Sequence, residues 1–444
     1  MALWADINLP AIFTDHMVLQ RNSEVTIWGN ANPNEEIILK ADFLDQEYKV
    51  KTGSSAVFKI TFPTPKEGGP YTITLKGYNE VKLKNVMLGE VWLLSGQSNM
   101  EMTPAWGINN IEEEVAKAHF ENIRFFTVHK GSSSFPQDNL YGEWKVCSPE
   151  TMRNFSAAGY YFGQKLQEDL KGVPIGLISS AWGGSAAELW TPEEVFKTYP
   201  HLLESYHTLT PSEYYPTKAG AAYNSMIYPI NDYKIAGAIW YQGETNTGNF
   251  STYQEVLTEL IGSWRKARGY EFPFYIVQIA PWETHQLSGA EIRNAQRLVS
   301  KKVANTGMIV ISDTITPQDD IHPKDKKTVG LRLANLIGKN VYNTNNLLVE
   351  SPEMLSVSFK KNKATVIMDY EDGLYFKSKT SSLFELAGED GVFHPAKAII
   401  KDRLIIVESA QVKNPSKLRY AWKNVVDTDL FNKANLPAST FTTE

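Results

Sequence analysis

A chain of 444 residues is longer than one ordinary core organises and implies two or three domains. Hydrophobic residues make up 42% and charged residues 21%, which excludes a disordered or fibrous chain. Lys and Arg total 44 against 50 Asp and Glu, a formal charge of -6 with no long basic run, so nucleic acid and anionic membranes are poor partners.

The single cysteine, Cys147, excludes an intrachain disulfide and a cysteine-based metal site. Aromatic residues reach 12%, a content compatible with sugar-stacking surfaces, although most such rings belong to cores. The start, Met1-Ala2-Leu3-Trp4-Ala5-Asp6, shows no basic segment followed by an apolar one, so no signal peptide is expected in it. No apolar run approaches the roughly 18 residues of a membrane span.

In chain order, residues 1–84 alternate short β-type runs with turn residues: Val25-Thr26-Ile27-Trp28, Ile37-Ile38-Leu39-Lys40, Phe58-Lys59-Ile60-Thr61-Phe62 and Tyr71-Thr72-Ile73-Thr74-Leu75. Their period of two predicts an N-terminal antiparallel β-domain. From Val86 the pattern changes to apolar runs separated by helix-like stretches near 111–119, 157–171, 252–268, 288–303 and 325–340. Strands buried on both faces and alternating with helices predict a three-layer α/β/α domain with a parallel sheet over residues 85–345. Residues 346–444 return to short β runs and are read as a C-terminal β-rich, sandwich-like domain.

In open α/β sheets, loops at the carboxyl ends of the strands converge on one crevice. Four such ends carry chemistry here. Gly96-Gln97-Ser98-Asn99-Met100 places a hydroxyl at a strand-to-helix turn, where it can be a nucleophile or merely a helix cap; Met100 takes the place of the second glycine of a nucleophile elbow. Ser180-Ala181-Trp182-Gly183-Gly184-Ser185 lets a backbone N–H approach a ligand, or serves as a tight turn. Tyr241-Gln242-Gly243-Glu244-Thr245-Asn246 gathers amides and a carboxylate: Gln242 or Asn246 could donate to an oxyanion, and Glu244 could orient a neighbour. Asp319-Asp320-Ile321-His322-Pro323 supplies an imidazole suited to proton transfer near neutrality, with an aspartate to hold it or to cap the next helix.

Serine, glycine, amide and histidine in that order at successive strand ends resemble the SGNH hydrolase superfamily. The closer resemblance is to the sialate O-acetylesterase family and related carbohydrate acetylesterases. It rests on Gly96-Gln97-Ser98-Asn99-Met100, Tyr241-Gln242-Gly243-Glu244 and Asp320-Ile321-His322-Pro323. It extends to Asp15-His16-Met17-Val18-Leu19-Gln20-Arg21, Tyr223-Asn224-Ser225-Met226-Ile227 and Leu418-Arg419-Tyr420-Ala421-Trp422, and so covers nearly the whole chain.

The resemblance implies a serine esterase, with Ser98 as nucleophile and His322 as general base and then acid. It implies an oxyanion hole of the Ser98 and Gly184 backbone N–H groups and the Gln242 side chain, with Asn246 as the alternative third donor. The superfamily spacing selects Asp319 as the orienting acid whereas the close family selects Asp320, and a Ser–His dyad is a further alternative. Asn99, Glu244, Trp190, Asn224, Trp282, Arg293 and Gln296 are expected to bind substrate, Arg293 by pairing with a sugar carboxylate unless it forms a salt bridge on the helix surface. No metal or organic cofactor is implied. The expected partner is an O-acetylated sugar, met in the periplasm or outside the cell. Acetylated sialic acid is the leading substrate and acetylated xylan or another plant glycan the second. A non-catalytic carbohydrate-binding protein on an esterase scaffold is the reading of a different class.

Overall fold

The computed structural model describes residues 6–283, 288–314 and 320–444. At its centre is a parallel sheet whose strands, in chain order, are β1 (Glu80–Gly96), β2 (Phe120–Thr127), β3 (Ile175–Ala181), β4 (Gly237–Tyr241), β5 (Phe274–Val277) and β6 (Thr306–Ile309). The spatial order is β6-β5-β4-β1-β3-β2, with Trp144–Cys147 added antiparallel beyond β2. Every residue of β3 and β4 is buried. Their largely apolar, uncharged sequence follows from this, because helices cover both faces of the sheet.

Five of the helices frame the sheet and its site: α1 (Ser98–Glu101), α2 (Ala157–Asp169), α3 (Tyr253–Arg268), α4 (Gly289–Lys302) and α5 (Lys326–Asn340). Helix α2 packs on α5 and α3 on α4, completing the expected α/β/α layers. Two of them start on side-chain caps: Ser156 Oγ accepts the Gly159 N–H ahead of α2, and Asp325 accepts the Thr328 N–H ahead of α5.

Strand β1 belongs to two systems at once. Its first half pairs antiparallel with Gly68–Lys76 and parallel with Val18–Gln20, while its second half, from Glu90, lies in the parallel sheet. The strand therefore runs through position 84/85, and one apolar core extends from Ile7 to Val349. Within the N-terminal segment, Val57–Thr64 alternates exposed and buried residues without a break, as its sequence period predicts.

A separate core begins at Ala364 under a seven-stranded antiparallel sheet that starts with Glu353–Lys360 and ends with Phe441–Thr442. This segment is tied back to the parallel-sheet body by Arg293 of α4, whose Nε donates to Thr440 Oγ1 (2.9 Å), and by Gln278, whose Nε2 donates to Ser439 Oγ (2.7 Å). Among the described residues no helix is long and apolar enough to cross a membrane.

The chain leaves β1 for β2, two places away, returns to β3 beside β1, and then crosses to β4 on the other side. The crevice at the carboxyl end of β1 is thus where strand order reverses, the place where open α/β sheets carry their ligands.

Candidate active site

Strand β1 ends at Gly96, which has φ +138°; an added Cβ would lie 2.2 Å from the Tyr241 carbonyl of β4. Only glycine fits this close approach, which turns the chain into α1 with Ser98 as its first residue. His322, on the loop leading to α5, brings Nε2 to 2.9 Å from Ser98 Oγ. Asp320 Oδ1 accepts the backbone N–H of His322 (2.8 Å) and lies 3.7 Å from its Nδ1. Asp319 lies outside the described residues.

Burial, followed by the charge of Lys326, pulls His322 below the ordinary imidazole value of 6.5, against the opposing pull of Asp320. The ring is therefore unprotonated and able to accept a proton at neutral pH.

After β3 the chain turns at Gly184, with φ +78°. The peptide here is held from two sides: Glu101 accepts the Gly183 N–H (2.6 Å), and Thr245 donates to the Gly184 carbonyl (2.7 Å). Glu101 is itself paired with Lys130. The Tyr215 ring closes over the turn, 3.2 Å from where a Gly184 Cβ would stand. Among the described residues neither the Ser98 nor the Gly184 backbone N–H has a protein acceptor. A hydroxyl against an unprotonated imidazole, flanked by two unengaged N–H groups, is equipped for acyl transfer.

The expected third oxyanion donor is corrected by the structure. Both amide hydrogens of Gln242 are spent, on Ser185 O (3.2 Å) and Asn246 Oδ1 (2.7 Å), and the side chain is fully buried. Asn246 is equally committed, donating to Glu188 (2.9 Å) and Asn249 (2.9 Å). The physical reason is Glu188, a completely buried carboxylate that must be solvated by amides, so these side chains serve it and not the crevice.

The expected substrate-binding set is also corrected. The Arg293 guanidinium is buried and engaged with Thr440 and the Lys423 carbonyl, so it cannot meet a sugar carboxylate. Trp190 is buried and donates to Ser185 Oγ (2.8 Å) beneath the glycine turn. Gln296 bridges the Gln242 carbonyl (2.9 Å) and the Ile279 N–H (3.0 Å). Asn224 ties a loop through the Ser133 carbonyl (3.2 Å), and Trp282 is packed in the core. Asn99 and Glu244 are buried and bonded to each other (2.6 Å).

Three residues near the site were not legible beforehand. Lys326, the first residue of α5, is wholly buried and donates to Asn99 Oδ1 (2.6 Å). Glu101 carries no signal beyond lying three positions after Ser98. Trp106 stands edge-on to the His322 ring at 6.4 Å with about half its surface exposed, as a sugar-stacking ring would.

The fold and this crevice are equipped for hydrolysis by acyl transfer. A family model described as carbohydrate esterase, sialic acid-specific acetylesterase matches residues 88–339, and the chain belongs to that family. A solved carbohydrate acetylesterase from Xanthomonas citri superposes with a TM-score of 0.89 at 33% identity, covering 99% of each chain. The sialate O-acetylesterase of Homo sapiens is 28% identical over 435 residues, 87% of this chain and 82% of that one. The Mus musculus enzyme is 27% identical over 477 residues, 92% and 88% respectively.

Proposed function

We propose that this chain removes O-acetyl groups from sugars through an acetyl-enzyme on Ser98, with His322 as base and then acid. The observation that carries the reading is the 2.9 Å approach of Ser98 Oγ to His322 Nε2 at the switch point of the sheet. Nε2 takes the hydroxyl proton as Oγ attacks the acetyl carbonyl carbon. The resulting oxyanion meets the Ser98 and Gly184 N–H groups, each such donor contributing on the order of 10²–10³-fold. Collapse of the intermediate expels the sugar oxygen, which leaves with the proton from Nε2. Water, deprotonated by the same nitrogen, then attacks the acetyl-serine, and the intermediate collapses to acetate as Ser98 Oγ leaves with the proton from Nε2. Asp320, on the Nδ1 side, stabilises the imidazolium formed in each step.

Sialic acid is the sugar named by the family and by the mammalian relatives. A neutral glycan ester is the second reading, and one observation favours it. Every arginine of the chain already has a protein acceptor, from the Arg21–Glu90 and Arg332–Asp313 pairs to the buried Arg265, Arg268, Arg293 and Arg297. The remaining four, Arg124, Arg153, Arg403 and Arg419, are likewise engaged. Arg293, the arginine expected to pair with a sialate carboxylate, is buried against Thr440 and the Lys423 carbonyl. Acetate release from 9-O-acetylated sialic acid and from acetylated xylan, side by side, decides between the two. Release from neither would leave a carbohydrate-binding protein as the function. A periplasmic or secreted location belongs to the same reading, and activity confined to the cytoplasmic fraction of the cell would contradict it.

A further inference from the structure

A fully buried lysine is rare, and Lys326 is buried where the mechanism just described does not use it. Its Nζ donates to Asn99 Oδ1 at 2.6 Å. The Asn99 amide spends its two hydrogens on Glu244 Oε1 (2.6 Å) and on the backbone carbonyl of Ile321 (3.0 Å). Asn99 directly follows Ser98, and Ile321 directly precedes His322. One side chain therefore bolts the nucleophile turn to the histidine loop, and its rotamer is fixed by a cation on one side and a carboxylate on the other. Reversing the amide would set its NH2 against the ammonium and its oxygen against the carboxylate.

We propose that Lys326 is a positioning residue of this site, holding Ser98 and His322 in register through Asn99 and placing a positive charge behind the imidazole. The inference rests on the Ser98–His322 reading. The groups that face the Lys326 ammonium are Glu244 and the Tyr241 ring at the end of β4, Asn99 on α1, Asp320 and His322 on the loop, and Asp325 on its own helix. On the packed helix α2, Tyr161 lies under Lys327 instead. Burial pulls Lys326 down to about 7, against the pull of Glu244, Asp320 and Asp325. Over the acidic range in which His322 titrates, Lys326 thus carries its proton and opposes a second charge on the ring.

The test uses the full chain, 4-nitrophenyl acetate, thermal melting and the pH profile of kcat/KM. Lys326→Met, which removes both donor and charge, is expected to lower kcat about 10²-fold with KM little changed, the size of effect that misplaced reacting groups produce. Lys326→Gln keeps a donor for Asn99 and removes only the charge. It is expected to recover much of kcat while the acid limb of kcat/KM moves up by about 1 pH unit, because the imidazole now protonates more readily. If Lys326→Met melts below the assay temperature, Lys326→Gln carries the test alone. A folded variant with kcat within twofold of wild type and an unmoved acid limb would overturn the proposal, as would a loss confined to KM. Ser98→Ala, assayed beside them, keeps the two questions apart. If it stays active, the Ser98–His322 reading fails; if it is inactive while Lys326→Gln behaves as wild type, only the role of Lys326 fails.

Discussion

The parallel sheet and the C-terminal antiparallel sheet bury their strands in different ways. Strands Lys363–Asp369, His394–Lys401 and Leu404–Glu408 alternate, turning one set of side chains to the core and the other outward. Strands β3 and β4 are buried throughout and carry no charged residue, so charged side chains in that part of the chain collect beyond the strand ends. There Glu188, Glu244 and Lys326 are shut away from water and must be satisfied by Asn99, Asn246 and Asn249. The contrast teaches where function and stability separate. A change in the antiparallel sheet costs packing alone, whereas a change at the ends of the parallel strands disturbs groups that set the position and charge of the reacting atoms.

Substitutions can break this contrast or sharpen it. The largest effect is expected for Ser98→Ala, which should lower acetate release by at least ~10³-fold while leaving the melting temperature unchanged. Retention of a tenth of the activity would remove Ser98 from the centre of the account. Gly184→Ala comes next, because φ +78° and the Tyr215 ring at 3.2 Å both oppose a methyl group there. Loss of one oxyanion donor predicts a fall in kcat of about 10²-fold, read by steady-state kinetics.

Asp320→Asn is expected to cost roughly tenfold in kcat. Its pH signature is specific. Asp320 favours the protonated ring, so its loss moves the acid limb of kcat/KM further below 6.5, in the direction opposite to that for Lys326→Gln. An unmoved limb would mean that Asp320 does not reach the imidazole field. The smallest effect belongs to the other sheet. Ile405→Val, in the C-terminal core, should cost about 0.5–1.5 kcal/mol in denaturant unfolding and leave kcat unchanged. A change in kcat there would show that packing in the C-terminal core reaches the site through the Arg293 and Gln278 contacts that join the two regions.

The residues legible in the sequence were those that a strand end presents directly. Ser98 and Gly184 follow closely on the ends of β1 and β3, whereas His322 lies on the loop ahead of α5, its Nε2 2.9 Å from Ser98 Oγ. Helix positions followed from the 3.6-residue period, and the five stretches read as helical contain Ile111–Ala116 and α2 to α5. What could not be read was side-chain direction. Arg293 and Gln296 lie on a helix near the site, yet α4 is buried between the parallel sheet and the C-terminal segment, so both point into protein. Gln242 was expected to face the crevice, but the buried Glu188, more than fifty positions earlier, draws the surrounding amides inward. Lys326 was invisible for a similar reason: a lysine in the first turn of a helix is ordinarily solvated, and only the packed structure shows that Asn99 and Glu244 surround it.

The account stands on an acetyl group passing through one hydroxyl. Protein turning over an acetyl ester, quenched in acid and digested, can be examined by mass spectrometry for the peptide containing Ser98. The account predicts one acetyl group on Ser98 in the wild type and none on that peptide in Ser98→Ala. Steady acetate release with no acetylated Ser98 peptide, or continued turnover by Ser98→Ala, would contradict it.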